Sequence, residues 1–137
     1  MAFRTTARVR FGDVDRAGIA YYPRIFDFFH VAFEEFWDRY MGISYAKVVT
    51  EENLGFPLID AHAQFRRPLR YGDELTVSVF LKRVGGASAT WGYRIDSPRG
   101  ERCCDAELTT VCVDMRTWEK RTIPDVYRTK FEACREG

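Results

Sequence analysis

The segment Phe11-Gly12-Asp13-Val14-Asp15-Arg16-Ala17-Gly18-Ile19-Ala20-Tyr21-Tyr22-Pro23 places two carboxylates between an alternating stretch and an aromatic run with helical spacing. Loops at such junctions carry binding and catalytic groups disproportionately. A helix start presents backbone N–H groups without intrahelical acceptors and the positive end of the helix dipole. That environment suits an oxygen that turns negative during acyl transfer. An aspartate beside it could attack an acyl carbon or take a proton from water. Aspartates also serve loops as turn and capping residues, and the residues alone leave both uses open for Asp13 and Asp15.

Other chemistry-bearing patterns are missing. The sequence has no Gly-x-Gly-x-x-Gly, no phosphate-binding loop, no His-Glu-x-x-His and no Cys-x-x-Cys. Gly86-Ala87-Ser88-Ala89-Thr90 has part of the form of a nucleophile elbow, but it lacks the second glycine and joins two strand-like runs, which argues against Ser88 as a nucleophile. Cys103, Cys104, Cys112 and Cys134 show no ligand spacing with His30 or His62 and read as reduced thiols filling space on strands. No metal and no redox cofactor is expected.

The charge balance of 21 Lys plus Arg against 20 Asp plus Glu gives a net +1, which argues against nucleic-acid or anionic-membrane binding through a bulk field. No apolar run approaches 18 residues, and the first eight residues lack the core of a signal peptide, so a cytoplasmic protein without membrane attachment is expected. With 137 residues, the chain can bury a core without disulfides, and a single domain over 1–137 is expected.

The loop must be held by the elements around it. Phe3, Ala7, Val9 and Phe11 alternate with Arg4, Thr6, Arg8 and Arg10, as on a half-buried strand. Pro23 suits a first helical turn, and Ile25, Phe26, Phe29, Phe33, Phe36, Trp37 and Tyr40 follow at helical spacing. Phe28, Val31 and Ala32 widen that stripe until the helix must be covered on several sides. Gly42-Ile43 suits a left-handed C-terminal cap, and residues 44–51 suit a short second helix. Four strand-like runs follow: Ile59 to Phe65, Leu75 to Leu81, Trp91 to Ile95, and Cys103 to Met115. The last loses its alternation after Thr110, which predicts a bulge or burial on both faces. Asp125 opens a short C-terminal helix. An antiparallel sheet wrapped around a long central helix is an α+β hot-dog arrangement. The apolar surface left over predicts a partner subunit.

In the loop the sequence resembles the hot-dog thioesterases of the 4-hydroxybenzoyl-CoA thioesterase type. Members of that family carry Phe-Gly-Asp-x-Asp-x-x-Gly-Ile, then aromatic-Tyr-Pro opening the central helix, and every one of these positions is filled here. The likeness extends loosely to Arg67-Pro68-Leu69-Arg70-Tyr71-Gly72-Asp73-Glu74-Leu75. It implies an acyl-CoA thioesterase with an aryl acyl group, in which Asp15 is catalytic and the Tyr22 backbone N–H polarises the thioester carbonyl. Gly18, Pro23 and His30 would lie along the substrate. Coenzyme A would be part of the substrate rather than a cofactor, and the site would form between subunits of a homodimer or homotetramer. A related branch has a histidine where this chain has Tyr22.

Two departures stand out. The family places basic residues for the CoA phosphates at the turn corresponding to Gly85-Gly86, which is uncharged here. Arg67, Arg70, Lys120 and Arg121 are the main replacements, with Arg66, Arg83 and Arg116 behind them; each is also an ordinary solvated cation. His30 stands where the branch can place an aspartate facing a substrate ring hydroxyl, and a packed or surface histidine is the alternative. The rival functions are a non-catalytic acyl-CoA or lipid-binding hot-dog protein and a thioesterase for short aliphatic acyl-CoA. A hydratase would need a closely spaced Asp and His on one loop, and that pair is absent.

Overall fold

The computed structural model describes residues 1–136. In chain order the elements are β1 (Phe3–Arg8), α1 (Tyr22–Glu35), α2 (Tyr45–Thr50), β2 (Leu54–Gly55), β3 (Leu58–Phe65), β4 (Glu74–Val84), β5 (Ser88–Asp96), β6 (Arg102–Val111), β7 (Val113–Asp114) and α3 (Asp125–Ala133). The five long strands form one antiparallel sheet in the order β1-β4-β5-β6-β3, with α1 on its inner side. This is the hot-dog arrangement expected.

Alternation sets the sheet's inner face. Leu75, Val77, Val79 and Leu81 of β4 and Trp91, Tyr93 and Ile95 of β5 are all buried. The helix answers with Ile25, Phe28, Phe29, Ala32 and Phe33. A π-helical stretch, Phe36–Met41, continues α1 and buries Phe36 and Trp37 fully. Gly42, with φ +82°, ends it in the left-handed cap read from the sequence. Trp91 and Phe131 of α3 meet edge to face at 4.8 Å, so the C-terminal helix closes the core at its far end. The loss of alternation in β6 does mark burial on both faces: Val111, Cys112 and Val113 are all buried, and the chain leaves the sheet there to pair β7 with β2. Among the described residues, no helix is long and apolar enough to cross a membrane.

Three expectations need correction. Phe11 does not continue the inner face of β1. The strand ends at Arg8, a 3-10 turn starts at Phe11, and that ring is exposed. Of the alternating residues of β3 only Ala63 packs against the core; on this edge strand Ile59 and Phe65, with Leu58, are exposed. The helix is not left bare either: beyond Tyr22 at its start, Val31 is its one exposed large apolar residue among the described residues. Unpartnered apolar surface lies instead on the β3 edge and around the loop before α1.

Candidate active site

The loop between β1 and α1 is a small hairpin. Val14 bridges Ala20, the Asp15 N–H donates to the Ile19 carbonyl at 3.1 Å, and Gly18 takes a positive φ of 77° at its tip. The two aspartates play different parts in it. Asp13 is buried, accepts the Arg10 N–H on its carboxylate at 2.9 Å, and has Arg24 Nε at 3.9 Å. Asp15 is exposed. One of its carboxylate oxygens accepts the Ala17 N–H at 2.8 Å, which holds the loop without enclosing the carboxylate.

The same loop sets the helix start. Tyr21 caps α1, and its N–H donates to the Asp13 carbonyl at 2.9 Å. Pro23 has no N–H, and the Arg24 N–H turns back to the Tyr21 carbonyl at 2.8 Å. The Tyr22 N–H has no acceptor among the described residues, so a free amide donor stands at the positive end of α1. The Tyr22 ring is exposed and lies edge-on to Tyr21.

One turn along α1 an apolar cavity of about 280 Å³ opens between the helix and the β3 side of the sheet. Phe26, Phe29, His30 and Phe33 line its helix wall, and Leu58, Tyr93, Leu108 and Thr110 line its sheet wall. His30 is thus neither packed away nor purely on the surface: it borders the cavity, with Nε2 2.8 Å from Glu34 Oε2. Tyr93 lies against Phe29 at 5.0 Å, and burial raises its pKa well above the ordinary tyrosine range. Sequence alternation marked Tyr93 as inward-facing but gave no sign that it borders a cavity.

The cations expected at CoA separate into two groups. Arg70 bridges Ile19, the Ala20 N–H donates to the Leu69 carbonyl and the Tyr71 N–H to the Gly18 carbonyl, so Arg67 and Arg70 belong to the Asp15 end. There Arg67 faces Glu101 at 3.6 Å, and the Arg99 hydrogen bond holds the Asp73 carboxyl below its ordinary range. Lys120 and Arg121 lie at the opposite end. The Arg121 N–H donates to the Cys112 carbonyl, and the Cys112 N–H to that of Ala87, beside the Gly85-Gly86 turn. Arg128 joins them, its guanidinium 2.8 Å from the Gly86 carbonyl. Sequence reading missed it because nothing in local spacing brings α3 to that turn. The two groups lie near opposite ends of the 11-residue strand β4, whose length is about 33 Å. One chain cannot apply both to the same phosphate.

This combination of fold, loop and free helix amide agrees with the family comparison, in which the thioesterase-like superfamily pattern matches residues 9–131. The chain belongs to that superfamily. It is 29% identical over 126 residues to the 1,4-dihydroxy-2-naphthoyl-CoA hydrolase of Nostoc punctiforme, covering 91% of this chain and 83% of that protein. It is 28% identical over 97 residues to the long-chain acyl-CoA thioesterase FadM of Escherichia coli, covering 70% and 74%. A thioesterase superfamily structure from Jannaschia superposes with a TM-score of 0.92 at 24% identity, covering 99% of this chain and 94% of the other, which shows the shared hot-dog fold. These superfamily relatives are named for naphthoyl and long-chain acyl groups, so membership does not single out the 4-hydroxybenzoyl branch.

Proposed function

We propose that this chain is an acyl-CoA thioesterase that hydrolyses an aryl thioester, with Asp15 as the attacking or proton-accepting group and the Tyr22 N–H as the oxyanion donor. The observation that carries it is the stacking of parts along α1: an exposed Asp15 on the loop that caps the helix, the unbonded Tyr22 N–H, and an apolar cavity beginning at Phe26. The thioester carbonyl oxygen accepts the Tyr22 N–H, which favours the tetrahedral oxyanion over the planar ground state. Asp15 takes a proton from water as the water oxygen bonds to the acyl carbon, and returns that proton to the sulfur as the carbon–sulfur bond breaks, releasing the acid and CoA thiol. Alternatively Asp15 adds to that carbon itself and expels CoA as a thiolate that is protonated by solvent, and water then cleaves the acyl-aspartyl anhydride to give the acid and free Asp15. Gly18 and Pro23 hold the loop tip and helix start in place. No step draws on a metal or redox group.

The β3 edge supports a homodimer. Leu58, Ile59 and Phe65 are exposed on a strand with an unpaired side, and Leu58 also lines the acyl cavity, so a second chain there would complete the pocket wall. For CoA, Arg128 at the uncharged Gly85-Gly86 turn, with Lys120 and Arg121 on the neighbouring backbone, would supply the turn's missing charge, while Arg70 is a cation beside the Asp15 loop without an ion-pair partner among the described residues. The test is thiol release from benzoyl-, hydroxybenzoyl-, phenylacetyl- and fatty acyl-CoA by the wild type and Asp15→Asn. Aryl turnover lost in the variant is the expected result. Binding without thiol release would instead mark a non-catalytic acyl-CoA-binding protein.

A further inference from the structure

Four side chains bring polar atoms to the cavity between α1 and the sheet, and three are already engaged. The Thr110 hydroxyl accepts the Trp91 indole N–H at 3.1 Å. The Tyr45 oxygen accepts the Phe56 N–H at 2.9 Å. His30 Nε2 faces Glu34 at 2.8 Å. Tyr93 is the exception: it is 3% exposed, it lines the cavity, and its hydroxyl has no hydrogen-bond partner among the described residues. The ring is packed away, but the hydroxyl oxygen is not among the sealed-off polar atoms without a partner, so it is open to the cavity and unengaged. A bound molecule can therefore exchange for that open contact a hydrogen bond that phenylalanine in the same place could not make.

We infer that Tyr93 is a specificity-determining residue whose hydroxyl hydrogen-bonds a polar substituent on the acyl group, favouring hydroxylated aromatic acyl groups over unsubstituted ones. The inference rests on the thioesterase reading only in placing the acyl group in this cavity. The reach fits. Phe29, against which Tyr93 packs, is seven residues beyond Tyr22, about 10 Å along the helix axis and rotated by about 20° from the Tyr22 direction. A carbonyl held at the Tyr22 N–H therefore projects its acyl group down this face toward Tyr93. Phe26, Phe29, Phe33 and Phe56 make the walls aromatic, so an aryl ring finds matching surface and a single polar contact orients it. Burial keeps the phenol protonated, so it can donate to a substituent oxygen as well as accept from a hydroxyl.

Tyr93→Phe removes the hydroxyl and keeps the ring. Thiol release is measured for wild type and variant with benzoyl-CoA, the three hydroxybenzoyl-CoA isomers and a hydroxynaphthoyl-CoA. The wild type should prefer a hydroxylated ring, and the variant should lower the kcat/KM ratio of that substrate over benzoyl-CoA by about tenfold. An unchanged ratio, or an equal loss on every substrate, overturns the assignment. A second arm does not depend on hydrolysis: calorimetric binding of free hydroxybenzoates, a hydroxynaphthoate and benzoate to both proteins. If the wild type releases no thiol from any substrate, the thioesterase reading fails. Tyr93 then stands if the variant binds the hydroxylated acids about tenfold more weakly relative to benzoate, and falls if that ratio is the same in both proteins.

Discussion

The Asp13 carbonyl accepts the Tyr21 N–H at 2.9 Å, and that bond fixes where the central helix begins. With the Tyr21 amide occupied and Pro23 lacking one, the free donor at the helix start falls on Tyr22. Asp13 therefore builds the site from below, while Asp15, two residues on, remains open to solvent. Like residue types in one loop are thus separated by burial into a group held inside the structure and one left open to solvent.

That division predicts opposite phenotypes. Asp15→Asn keeps an oxygen for the Ala17 N–H but loses the charge, so turnover should drop by on the order of a hundredfold with little change in stability. Asp13→Ala strands the Arg10 N–H and should cost about 1–3 kcal/mol in urea unfolding. Near-normal turnover in folded Asp15→Asn removes it from the chemistry.

Association should follow the β3 edge. A 16.0 kDa chain with this surface is expected to sediment as a dimer or larger, burying on the order of 2,000 Å². Ile59→Lys adds a charge at a position 60% exposed in the single chain. It should leave the fold intact and shift the protein toward monomer in sedimentation. A wild-type monomer with full activity would contradict both the edge assignment and a shared site.

The centre of the sheet was legible because β4 and β5 bury one face within a single chain. The pattern of β3 is the same, yet its large apolar residues are exposed. Alternation records burial in the final assembly and does not say which chain provides the cover. Phe11 misled for a different reason: the period continues through Gly12-Asp13 although the strand has stopped. The loop that caps α1 was legible in Asp15 and Tyr22-Pro23, whose types and spacing are local. The placement of Arg128 and Tyr93 was not, since it arises from contacts with Gly86 and Phe29 that are distant in sequence.

The thiols provide a pH prediction. Burial pushes Cys104 up to about 12 and Cys134 up to about 11. A folded-state pKa above the unfolded one means the folded chain holds its proton longer. The corresponding stability is full below an ordinary thiol pKa of about 8.5 and is lost as pH rises through about 11 to 12. Urea midpoints should therefore decline with alkalinity from about pH 8.5 upward. Iodoacetamide should label these cysteines in the unfolded chain and spare them in the folded one at pH 8. Rapid labelling of the native protein would contradict the buried-thiol assignment.

His30 borders the apolar cavity one residue past Phe29, and Glu34, one turn on, holds its Nε2. An imidazole there can donate or accept toward a ring substituent, and unlike a carboxylate it does not repel an acidic one. His30→Ala should reorder the kcat/KM values among substituted benzoyl-CoAs by about tenfold and change fatty acyl-CoA turnover by less, because an alkyl chain offers nothing to bond. Glu34→Gln retains an acceptor for the imidazole and should preserve the wild-type ranking, whereas Glu34→Ala should reproduce part of the His30→Ala effect. An equal loss on aryl and alkyl substrates in His30→Ala would show that the residue only supports the helix. Pairing His30→Ala with Tyr93→Phe then separates the two polar contacts: effects that add place them on different substituents, and effects that overlap place both on one.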